Sequence, residues 1–228
     1  MTLSILCVTK GEQYSRPFLL WMNALATRLE EAEFVVAVDG DENAVASVQE
    51  LLRPLAGVLQ VESKGYIESV LDQAVAACAG EYVLRLDDDE RCSPAMEKWL
   101  EDQAYVAAPH WKFPRAHVST DSSRHAIVNP PLWPDHQTRL SLKEKSGGRR
   151  TVHAGSPYGG GKEAPVLIEH WKFRVKDASE RRRIAEVYDS VTPGYGTGGM
   201  KAFNLPEEVF TDFVLRPIAE LSQELVSA

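Results

Sequence analysis

The chain has 228 residues, 44% hydrophobic and 25% charged, with a formal net charge of -8, which is the profile of a globular protein with one sizeable core. The negative balance excludes general attraction to nucleic-acid phosphates, and no apolar run approaches the roughly 20 residues that span a bilayer. Cys7, Cys78 and Cys92, odd in number and without metal-ligand spacing, are read as reduced structural thiols of a cytoplasmic protein.

Leu3 to Thr9 and Phe34 to Val38 are short β-branched apolar runs, each ending in a polar break, and are expected to be buried parallel strands. Between them Phe18, Leu19, Met22, Leu25, Ala26 and Leu29 recur at helical spacing, with Ser15 as N-cap and Pro17 in the first turn. A helix over Asn43 to Leu52, a weak strand at Val58 to Val61, a helix over Tyr66 to Ala77 and a strand at Tyr82 to Leu86 continue the alternation. Such alternation predicts an α/β fold with a mostly parallel central sheet and helices on both faces.

After a helix at Pro94 to Glu101 the texture changes. Tyr105 to Phe113 and Gln137 to Leu142 are expected to be strands, joined irregularly through Pro109, Pro114, Pro130, Pro131 and Pro134. Glycine-rich segments at Gly147 to Gly161 and Pro193 to Gly199 are read as mobile loops, Arg181-Arg182-Arg183 as a solvated face of a helix over Ala178 to Tyr188, and Glu207 to Leu225 as a last helix.

Asp87-Asp88-Asp89-Glu90 directly follows the strand Tyr82 to Leu86. Ligands of open α/β sheets collect beyond the carboxyl ends of strands, and four adjacent acids there repel one another without a compensating cation. If the strand stayed extended, Asp87 and Asp89 would face one ligand and Asp88 the other side. Paired carboxylates suit a hard divalent cation, Mn2+ or Mg2+, which in turn binds phosphate oxygens.

The runs Ser4 to Thr9, Val35 to Gly40, Gly65, and Ala79-Gly80-Glu81-Tyr82-Val83-Leu84 leading into Asp87 to Glu90 resemble the nucleotide-binding half of family 2 glycosyltransferases of GT-A fold, bacterial or phage type. A looser likeness links Pro134 to Leu140, Val152-His153 and Glu169-His170 to their second half, although Ala154 stands where Glu is common. The resemblance implies one catalytic domain over residues 1–228, with a nucleotide-sugar half (1–95) and a less regular acceptor half (96–228). Its donor would be a nucleotide-diphosphate sugar. Its acceptor would be a saccharide, a lipid-linked sugar, a protein or a modified nucleic acid.

The same resemblance implies roles. Thr9, Lys10, Glu12, Asp39, Gly65, Asp87 and Asp88 would bind the donor, and Asp89 and Asp87 would hold the metal with His153 or His170. The cation would stabilise the departing diphosphate, while Asp135, or alternatively Glu90, would take the acceptor proton in an inverting displacement. Trp133, two residues before Asp135, would stack on the acceptor sugar. Two other classes stay open: a non-catalytic nucleotide-sugar-binding module, and a nucleotidyltransferase, which lacks here the glycine-rich phosphate cradle it would need after the first strand.

Overall fold

The computed structural model describes residues 1–52, 56–146 and 161–227. The first half is built as expected: β1 (Leu3–Thr9), β2 (Glu33–Asp39), β3 (Gly57–Val61) and β4 (Tyr82–Asp87) lie parallel in the order β3-β2-β1-β4. Alternate residues serve two cores. Leu3, Ile5 and Cys7 pack with α1 (Arg16–Ala26), α2 (Glu42–Leu52) and α4 (Pro94–Glu101), whereas Leu6 and Val8 pack with α3 (Leu71–Ala76) on the opposite face. All seven residues of β1 are buried for this reason, which explains why it reads as a continuous apolar run.

The second half joins the same sheet from the other edge. β8 (Asp135–Leu142) pairs antiparallel with β4, and β6 (His110–Val118) pairs antiparallel with β8. The short strands β5 (Glu90–Cys92), β7 (His125–Ile127), β9 (Lys162–Glu163), β10 (Ile168–His170) and β11 (Leu215–Pro217) complete an 11-stranded sheet. The helices α5 (Lys172–Val175), α6 (Ala178–Val191), α7 (Lys201–Asn204) and α8 (Ile218–Ser227) follow in chain order around β11.

Several boundaries differ from expectation. Ala104–Ala107 forms a 3-10 turn and the strand runs from His110 to Val118: Tyr105 is buried there as a core aromatic, edge-on to Tyr82, without needing extended backbone. The expected helix over Tyr66 to Ala77 begins as a separate 3-10 turn, Ile67–Ser69. The expected last helix is broken into a turn at Pro206–Glu208, the strand β11 and α8, because Leu215–Pro217 pairs with β7. All three cysteines are free and buried, and no helix among the described residues is long and apolar enough to cross a membrane.

Candidate functional site

Extended backbone stops at Asp87, and Asp88 and Asp89 form the turn into β5. The predicted alternation is therefore overturned, since it holds only while the chain stays extended. Asp87 turns to Arg139, 2.5 Å away. Asp88 and Asp89 instead converge on Lys176, whose Nζ lies 2.6 Å from Asp89 and 3.5 Å from Asp88.

Sheet register assembles the rest of the cluster. β10 lies between β5 and β6, placing His170 opposite both Glu90 and His117, while the β6–β8 register sets Arg115 opposite Asp135. Arg115 reaches Glu90 at 2.8 Å and Asp135 at 2.5 Å, and Arg139 reaches Glu90 at 2.6 Å. Three carboxylates, Asp87, Glu90 and Asp135, thus share Arg115 and Arg139, with Arg85 a further 3.9 Å from Asp87. Glu90 has no exposed surface: burial and the repulsion of Asp87 outweigh Arg115 and raise its pKa to about 8. For Asp135 burial acts upward, but the hydrogen bond from His117 and the charge of Arg115 prevail and hold it well below the usual carboxylate range.

A hydrogen-bonded chain links this acid to the turn. His117 Nε2 lies 3.2 Å from Asp135, His117 Nδ1 lies 3.1 Å from His170 Nδ1, and His170 Nε2 lies 3.3 Å from Asp89. Burial favours neutral imidazoles, lowering His170 to about 3. Two neutral rings bring two N–H groups to three links, so one link lacks a proton whichever tautomers are chosen.

Beside the turn, at the carboxyl ends of β1 and β2, a cleft of about 110 Å³ is lined by Thr9, Lys10, Asp39, Gly65 and Asp88. These are five of the seven expected donor residues. Thr9 donates to Asp88 at 2.8 Å, and Asp39 accepts from the Ser63 backbone and hydroxyl at 2.8 and 2.5 Å. Glu12 lies 3.8 Å from Arg183, which itself lines the cleft, and Asp87 is drawn away to Arg139. His153 lies outside the described residues. Trp133 is partly buried against an apolar cluster containing Ala116, Val118 and Leu221.

Sequence reasoning missed Lys176, Arg183 and Tyr188, which line the cleft at and just before α6, Tyr14, which lines it from the turn after β1, and Arg115 and His117, which bind Asp135 from β6. Only the polar interruption of the apolar strand by Arg115 and His117 hinted at them. Of the triple arginine, Arg182 and Arg183 are exposed as expected, whereas Arg181 is buried and donates to the Asn204 and Lys176 carbonyls at 2.9 and 2.7 Å.

The segment expected to be a second mobile loop contains a regular turn. Tyr195–Gly199 makes one wide helical turn whose Gly196 and Thr197 N–H groups donate to Asp189 of α6. A Cβ on Gly196 would lie 1.9 Å from the Ala185 carbonyl oxygen, a backbone atom that no rotamer change relieves. Gly196→Ala is expected to cost about 3 kcal/mol, read as lost hydrogen-exchange protection over residues 194–204; unchanged protection would refute the docking.

Among the described residues no group of three or more His, Cys, Asp and Glu is placed to hold a metal ion. Of the expected ligands, Asp89 and His170 are adjacent, but the ammonium of Lys176 stands between Asp89 and Asp88. These residues, as arranged, do not fit a resident divalent cation.

No protein-family model matches the sequence, and no curated protein matches it. Among solved structures the chain is similar to S. aureus TarS residues 1–349, at 13% identity with a TM-score of 0.50, covering 86% of this chain and 68% of that one. The longer TarS structure scores 0.47 at 13% identity, covering 93% and 44%. The 1–349 structure in complex with UDP-GlcNAc scores 0.48 at 15% identity, covering 86% and 69%. At these identities the likeness is one of fold, and the fold is GT-A-like: a parallel α/β sheet extended by an antiparallel half.

Proposed function

We propose that this protein is a glycosyltransferase that moves a sugar from a nucleotide-diphosphate donor to an acceptor hydroxyl. The observation that supports it most is the cleft where Thr9, Asp39, Gly65 and Asp88 meet at the carboxyl ends of parallel strands. That is where an open α/β sheet binds its ligands. Gly65, at φ +88°, lets the chain turn at the cleft wall without a side chain. Asp39, which accepts from Ser63, is the proposed acceptor for a nucleobase or ribose donor.

In this reading Asp135 is the base that receives the acceptor proton in a single displacement, with inversion at the anomeric carbon. Asp135 keeps some exposed surface, whereas Glu90 has none. His117 and Arg115 orient Asp135 through its Oδ2. Trp133, two residues upstream, is the proposed edge of the acceptor site. The acceptor class stays that of the sequence expectation, a saccharide, lipid-linked sugar, protein or modified nucleic acid.

Slow hydrolysis of nucleotide sugars, followed by release of nucleoside diphosphate across a donor panel, tests the proposal. One donor is expected to turn over, and Asp89→Ala, which frees Lys176 from its position, is expected to slow that turnover about a hundredfold. Binding of a donor with no product under any condition would instead identify a binding module.

A further inference from the structure

We infer that Lys176 takes the place of a divalent cation in this cleft, so that the diphosphate of the donor is held by an ammonium group without a metal ion. The inference rests on the transferase reading above and specifies how its site carries positive charge.

Four observations support it. Lys176 is the side chain on which Asp88 and Asp89 both converge, at 3.5 and 2.6 Å. It also lines the cleft next to Thr9 and Arg183, with its Nζ 4.5 Å from the centroid of the Tyr14 ring. It is buried to 8% exposure and fixed at its backbone: its N–H donates to the Lys172 carbonyl at 3.0 Å, and its carbonyl accepts from Arg181 at 2.7 Å. A surface lysine swinging in to neutralise a turn would not need a buried arginine to hold its main chain.

A hard divalent ion bound to Asp89 would sit about 2.0–2.2 Å from its oxygen. An ammonium already 2.6 Å from that oxygen, and bridging to Asp88, occupies the same space with the same sign of charge. The remaining Asp89 oxygen faces His170 Nε2, inside a chain that runs to Asp135. Asp88 is further committed to the Thr9 hydroxyl. Both carboxylates therefore position the cation and leave its outer face to the cleft. Arg183, on the adjoining turns of α6, supplies a second positive group to the same cavity. A single fixed charge and a guanidinium suit a diphosphate.

The test uses the full chain and two independent measurements. Mn2+ binding to the ligand-free protein is followed by electron paramagnetic resonance, and binding of UDP, GDP, dTDP, CDP and ADP is followed by calorimetry in EDTA and again in Mn2+. No Mn2+ uptake is expected, and the nucleotide that binds should do so equally well in both buffers. Lys176→Met should weaken that nucleotide at least about tenfold in EDTA. Because this change strips a cation from two buried acids, Asp88→Asn/Lys176→Met is measured beside it, with circular dichroism reporting folding; the same loss in the double variant supports the inference. Mn2+ uptake by the wild type, together with nucleotide binding only in its presence, overturns the inference and leaves the transferase reading standing. Failure of every nucleotide in both buffers overturns the transferase reading, and the inference with it.

Discussion

Replacing Arg115 with methionine is expected to cost about 3–5 kcal/mol of folding stability. The side chain bridges Glu90 and Asp135, and both partners are buried with it. The two acids raise the guanidinium pKa despite burial, which by itself lowers it. Methionine fills similar space but leaves the ionised Asp135 buried without its guanidinium, while Glu90 keeps Arg139. An exposed pair such as Arg28–Glu97, whose arginine side chain is 49% exposed, is expected to contribute at most about 1 kcal/mol. Guanidinium denaturation of Arg115→Met and Arg28→Ala side by side is the check. A loss below about 1 kcal/mol for Arg115→Met would mean the network is looser than its geometry.

Glu90→Gln is expected to remove a pH dependence of stability worth about 3 kcal/mol between pH 4.5 and pH 7. The sign follows from the raised pKa. The folded state holds the Glu90 proton up to about pH 8, whereas the unfolded chain releases it near 4.5. Stability from this group is therefore complete below pH 4.5 and is lost as pH rises through 8. Glutamine mimics the protonated form and does not titrate, so the variant should equal the wild type below pH 4.5 and exceed it by a margin that grows up to about pH 8. The buried histidines act in the opposite direction: His170, lowered to about 3, withdraws stability as pH falls below 6.5. Their contribution is common to both proteins and cancels in the difference. A variant that is less stable than wild type by a constant amount from pH 5 to pH 9 would show instead that Glu90 is ionised throughout.

The two predictions probe the same feature from opposite sides. Five buried or half-buried carboxylates, Asp87 to Glu90 and Asp135, meet Arg115, Arg139 and Lys176 in one region. The carboxylates outnumber the cations, and the proton that Glu90 retains up to about pH 8 reduces the excess. Lys172 adjoins it, buried and bonded to Asn204 at 2.6 Å, with burial lowering its pKa to about 7. Such a neighbour adjusts the balance near neutral pH.

The sequence by itself determined the parallel half. Strands buried on both faces must be apolar throughout, and the helices between them must be amphipathic, so Leu3 to Thr9, Phe34 to Val38 and Tyr82 to Leu86 carried their own assignment. Placement of the acidic tetrad at a strand end was legible for the same reason, whereas Thr9, Asp39 and Gly65, which line one cleft, were implied by the family resemblance. What the acids contact was decided by tertiary structure. Antiparallel register set Arg115 against Asp135 and His170 against Glu90, residues 20 to 80 positions apart in sequence. Lys176, following a four-residue helix and preceding α6, carries no local pattern that marks it as buried. Its position beside Asp89 exists only once β10 has docked between β5 and β6 and brought the helices behind it over the cleft.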